Sequence, residues 1–169
     1  NTNTITVTEN SGTANNVTIN NSGQISAGAS SSGATSNNAI RSEDDTDNVT
    51  VVNNVGGHIH NNNTSSTALN AATVFIAANS SATLTNSGTI ENKGGVDNYA
   101  IGLAGDGVTV TLKDDGKVIV KISVAGGSTT AHTIKLQHGV GQAYFYDIDG
   151  SGTYTLQDLD GNPVVKGSA

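Results

Sequence analysis

The chain has no Cys, no Met and no Trp, a single Pro, six aromatics and only 12% charged residues in its 169 positions. Each absence removes a class. Without Cys there are no disulfides to offset a small core, so stability has to come from elsewhere, such as continuous strand stacking. With so little Pro and no third-residue Gly period, collagen is excluded. Low charge argues against charge-driven disorder, which pairs low hydrophobicity with high charge. No run approaches the ~18 apolar residues of a membrane span, so direct membrane insertion by this segment is not expected. Seven Lys+Arg against 14 Asp+Glu leave a net charge of -7, the wrong sign for nucleic acid. The opening NTNTITVTEN has neither a basic nor an apolar leader stretch and reads as part of a mature segment or an excised fragment.

What is present is polar, small and β-branched. Asn (21), Thr (22), Ser (17) and Gly (21) make up nearly half of the chain. They are not scattered. NVTINNSGQI (16–25), NVTVVNNVGGHI (48–59) and ATLTNSGTI (82–90) each read as a short alternating strand, a polar corner with Asn and Gly, and a closing Ile. The closing Ile25, Ile59 and Ile90 lie 34 and 31 residues apart. A second landmark, Ala39–Ile40, Ala68–Leu69 and Ala100–Ile101, recurs at 29 and 32. A degenerate copy runs through Val108–Val118 to Ile134, and TITVTENSGT (4–13) reads as a partial copy before the first.

A period of about 30 residues with three short strands per unit buries too little alone, but stacked units share a continuous core. Strand alternation points Val17, Ile19, Ile25 and Ala39 or Ile40 inward. Gly at the corners supplies positive φ, Asn tolerates it, and Asn and Thr at equivalent positions would form ladders along the stack. The expected fold is all-β: a right-handed parallel β-helix of about four to five coils. The alternative is a β-sandwich, which would show hairpin spacing without the long register.

Composition shifts near Gly105. Only one Asn lies beyond Asn98, six of the seven Lys+Arg lie from Lys93 onward, and Tyr144, Phe145, Tyr146 and Tyr154 cluster. Lys117–Val124 alternates as one strand, and Ala143–Ile148 with Thr153–Leu156 reads as a hairpin across DGSG. The expected organisation is coils over 1–118 and a C-terminal β-hairpin cap over 119–169, which would cover an aggregation-prone solenoid end.

The NSGxI corners (Asn21–Ile25, Asn86–Ile90), the Asn/Thr/Gly-rich coils, the absent Cys and the denser C-terminal segment resemble an autotransporter passenger, a family of bacterial surface proteins. That resemblance implies a right-handed parallel β-helix, export through the outer membrane by way of a C-terminal barrel, and a bacterial cell-surface location. Phage tailspikes and other bacterial adhesins share the same character.

Three local patterns carry candidate chemistry. DIDGSGTYTLQD (147–158) places Asp147, Asp149, Ser151, Thr153 and Asp158 at alternating oxygen positions suited to Ca²⁺, yet its flanks read as strands rather than EF-hand helices. His58 and His60 flank inward Ile59 on one strand face, without a local Cys or acidic partner. RSEDDTD gathers Arg41, Glu43, Asp44, Asp45 and Asp47 in an acidic loop for cation or ligand contact. Phosphate-loop, nucleophile-elbow and zinc-protease motifs are absent from the sequence. The expected function is a non-enzymatic adhesin or self-association module, needing no cofactor, that contacts itself or a surface glycan or protein through polar faces. A polysaccharide-active β-helix enzyme or tailspike fragment is the first alternative, and a calcium-dependent structural module the second.

Overall fold

The computed structural model describes residues 3–8, 16–28, 37–43, 48–64, 68–77, 82–125, 129–137, 141, 144 and 146–164. Successive strands are assigned in turn to three sheets. The first sheet stacks β1 (Ile5–Val7), β4 (Ile40–Ser42), β7 (Val74–Ile76), β10 (Tyr99–Leu103), β13 (Lys121–Val124) and β15 (Asp147–Asp149). The second stacks β2 (Asn16–Asn21), β5 (Asn48–Asn53), β8 (Thr83–Asn86), β11 (Thr109–Leu112), β14 (His132–Leu136) and β16 (Tyr154–Asp158). The third holds β3 (Gln24–Ala27), β6 (His58–Asn61), β9 (Thr89–Asn92) and β12 (Lys117–Ile119). Every ladder between these strands is parallel, so the chain winds as a parallel β-helix and the sandwich alternative falls.

Three aliphatic columns run through the core. Ile5, Ile40, Val74, Ile101, Ile122 and Ile148 align on the first sheet. Ile19, Val51, Leu84, Val110, Ile134 and Leu156 align on the second. Ile25, Ile59, Ile90 and Val118 align on the third, as the repeat spacing predicts. The central members of each column are fully buried, and each contributes about 1.5–3 kcal/mol of apolar burial. No single coil could bury them; the stack does.

Four details differ from the sequence reading. Ile40 is matched one coil on by Val74, whereas Ala68 and Leu69 lie at a single 3-10 turn (Leu69–Ala71) in the connection before it. Leu69 and Ala72 reach Gly102, where any Cβ would meet the Leu69 carbonyl at 2.7 Å, so the turn lies against that strand. Lys117–Val124 is not one strand: Val120, at φ 78°, turns the chain from the third sheet into the first. Ile5–Val7 heads the first sheet rather than repeating the second-sheet strand.

The fourth difference concerns DGSG, which is not a hairpin turn. Its flanking strands β15 and β16 belong to different sheets, so the tetrapeptide is a corner between them. Gly150 sits there at φ 123°, and a Cβ on it would lie 2.0 Å from the Val124 carbonyl of the preceding coil. An antiparallel return occurs one step later, beside β16. Gln157 bridges Pro163, Val164 N–H donates to the Leu156 carbonyl at 2.9 Å, and Asp158 N–H donates to the Asn162 carbonyl at 2.9 Å. The first two sheets cross residue 118 unbroken, while the described part of the third sheet ends at Ile119.

Candidate functional site

The Asn-x-Gly corners are built from one side chain doing two things. Asn21 Oδ1 accepts the Gly23 N–H at 3.2 Å, and Asn86 Oδ1 accepts that of Gly88 at 3.3 Å. The same buried amides stack from coil to coil: Asn21 Nδ2 donates to Asn53 Oδ1, and Asn53 Nδ2 to Asn86 Oδ1, both at 2.8 Å. Asn86 Nδ2 then donates to the Lys117 carbonyl at 3.0 Å, where Leu112 replaces the next Asn. A second group (Asn38, Asn61, Asn92, Asn98) ties loop carbonyls at the opposite corner. These amides hold the scaffold and are not offered to a partner.

Outside, the same register aligns polar side chains. Thr18, Thr50, Thr83, Thr109, Thr133 and Thr155 form one unbroken row up the second sheet. Neighbouring rungs lie about 4.8 Å apart. Thr83 and Thr50 hydroxyls approach to 3.4 Å, and Asn48 Nδ2 donates to Asn16 Oδ1 at 2.8 Å on the same face. The sequence signal for this row is the alternating Thr of each repeat, but its length across all six rungs needs the register.

His58 and His60 project from the third sheet with ring centroids 4.7 Å apart. Stacking supplies what local sequence lacks: Glu91, opposite His60 in the next coil, accepts from His58 Nε2 at 3.0 Å. Lys93 Nζ lies 4.0 Å from the same carboxylate. Burial, and then Lys93 and His58, hold the His60 pKa below the usual histidine value. Among the described residues no group of three or more His, Cys, Asp or Glu side chains is placed to hold a metal ion.

Asp44, Asp45 and Asp47 lie outside the described residues. Their neighbours Arg41 and Glu43 pair at 2.6 Å, with the guanidinium 4.6 Å above the Phe75 ring. The corner 147–158 is spread over two sheets. Asp149 lies 4.0 Å from Lys121 Nζ and accepts the Tyr99 hydroxyl at 3.4 Å. Asp158 takes both Asn162 N–H and Nδ2 at 2.8 Å, and these bonds hold its carboxyl below the ordinary range. Asp147 and Ser151 are exposed, and Thr153 precedes β16.

Sequence reasoning missed one feature. Beside β12 and the last two coils lies a cavity of about 770 Å³. Tyr144, Tyr146, Tyr154 and Asp147 line it together with aliphatic residues including Ile148 and Leu156. Three of the chain's four tyrosines therefore meet in one place. Burial pushes the Tyr144 and Tyr146 phenols above their ordinary pKa. The clustering of aromatics was visible in the sequence, but as a cap rather than as a cavity wall.

Compared with known proteins, the chain matches no family model, no curated sequence and no solved structure.

Proposed function

We propose that this chain is a non-enzymatic adhesion module of an exported bacterial surface protein, working by self-association or by contact with a surface glycan or protein. The observation that carries this reading is the six-threonine row of the second sheet, with its flanking Asn16–Asn48 pair. A parallel β-helix is rigid and repetitive, so it presents identical hydroxyls at a fixed spacing along one face. Each hydrogen bond such a face makes is worth about 1 kcal/mol net against water. A row can sum several of them at once, and a single substitution removes only one share.

The acidic composition fits the same reading, because a net charge of -7 keeps single rods apart until aligned faces meet. The test uses beads or cells displaying the chain at the surface. They should clump with one another or bind a glycan- or protein-coated surface, and failure in both assays sinks the reading.

A further inference from the structure

The cavity at the C-terminal end has no part in the polar-face contact. We propose that it is a binding site for a neutral glycan, a short saccharide gripped by Tyr144, Tyr146, Tyr154 and Asp147. The inference rests on the adhesion reading for its biological sense, and on the cavity for its chemistry.

The volume, about 770 Å³, falls within the roughly 300–1,000 Å³ of small-ligand clefts. Its lining brings together Tyr144, Tyr146, Tyr154 and Asp147 with an aliphatic floor that includes Ile148 and Leu156. That mixture selects among ligand classes. A wholly apolar guest would cover the tyrosine hydroxyls without replacing the hydrogen bonds they make to water. An anionic guest, such as a phosphate or sulfate ester, would face Asp147 with no Lys, Arg or His among the described lining residues. A saccharide meets both demands. The C–H faces of its rings bury against phenol rings and aliphatic side chains, and its hydroxyls donate to Asp147 and exchange hydrogen bonds with the tyrosines.

Access is also present. Tyr154 is 43% exposed, and Asp147 is exposed at the rim, so a ligand reaches the rings without any strand moving. Asp147 and Tyr154 sit on β15 and β16, whose positions the ladders to β13 and β14 fix, and Tyr146 directly precedes β15. Strand-borne groups of this kind hold their geometry better than loop-borne ones.

The chain's four tyrosines provide the readout. Protein labelled with 3-fluorotyrosine gives four ¹⁹F signals, assigned by single Tyr→Phe substitutions, and Tyr99, outside the cavity, serves as the internal reference. The probes are cellobiose, maltose, lactose and N,N′-diacetylchitobiose, each taken to tens of millimolar, with the uncharged apolar dye N-phenyl-1-naphthylamine as a separate arm. The expected result is saturable shifts of the Tyr144, Tyr146 and Tyr154 signals by at least one saccharide while Tyr99 stays still. Affinity should then fall about tenfold in Asp147→Asn and in Tyr154→Ala. If Tyr154→Ala melts early, Asp147→Asn, which keeps the shape of the side chain, decides alone.

Shifts by the dye with none by the four sugars would overturn the assignment in favour of an apolar site. Equal movement of all four signals, or no movement at all, would overturn it as well. Clumping beads without sugar binding leave the polar-face reading standing and remove this one. Sugar binding that substitutions in the threonine row leave unaffected, on beads that neither clump nor hold to a coated surface, does the reverse.

Discussion

Asn53 Nδ2 donates to Asn86 Oδ1 at 2.8 Å across two successive coils, and both residues are fully buried. This one bond shows how the fold manages polar residues in its interior. The Asn that ends each of the first three second-sheet strands, Asn21, Asn53 and Asn86, serves its own corner and bonds the amide of a neighbouring coil. A core rich in amides is therefore stable only while the register is kept.

Removing one amide should expose that dependence. Asn53→Ala removes two buried amide–amide bonds, leaving Asn21 Nδ2 only the Gly23 carbonyl at 3.2 Å and Asn86 Oδ1 only the Gly88 N–H at 3.3 Å, a loss of about 1–3 kcal/mol in total. Asn48→Ala, which breaks only the exposed Asn16 contact, should stay within about 0.5 kcal/mol. Urea unfolding of the two variants checks the difference.

Corner glycines should show a position effect within one structural column. A Cβ at Gly88 would lie 2.2 Å from the Gly57 carbonyl, whereas one at Gly23, in the first coil, meets nothing within 4 Å. Gly88→Ala should cost about 2–4 kcal/mol through a forced backbone shift, and Gly23→Ala should be nearly silent. Thermal melting of both decides it.

His132 gives the fold an acid limit. It is fully buried, its Nδ1 accepts the Val108 N–H at 3.2 Å, and its Nε2 has no hydrogen-bond partner. Burial lowers its pKa in the fold, against a smaller opposing pull from Asp106. The unfolded chain therefore takes up the proton more readily than the folded one. Stability should be constant above the unfolded value of about 6.5 and fall as pH drops below it. His132→Gln removes the titrating ring and should make the stability profile between pH 7.5 and 5 shallower, leaving the contribution of His60, whose pKa burial also lowers. A profile as steep as that of the parent chain contradicts the assignment.

Much of this architecture was legible from the repeats. Ile25, Ile59 and Ile90 fell into one column because strand alternation and Asn-x-Gly corners are local signals that repeat with the coil. What misled was local likeness without register. Ala68–Leu69 imitates Ala39–Ile40, but the long connection before β7 absorbs it into a 3-10 turn. KVIVKISV alternates well enough for one strand, yet Val120 turns it, which a β-branched residue at positive φ gives no reason to expect. DGSG carries the residues of a hairpin turn, but parallel stacking sends its two arms to different sheets. The Glu91 partner of His58 lies 33 residues away, and the tyrosine cavity is walled by residues from Val118 to Val164 that stacking brings together. Neither is a local property of the chain.

The central claim is that adhesion runs through the threonine row, and the most direct measurement is bead clumping by a row variant. Thr50, Thr83 and Thr109 lie on neighbouring rungs and face outward, so Lys at all three should leave the core columns intact. Beads carrying the parent chain should clump, and beads carrying the triple variant should clump at least about tenfold less, as expected when several hydrogen bonds of about 1 kcal/mol each are lost together. Both proteins should melt at similar temperatures. Undiminished clumping by a folded triple variant would contradict the account.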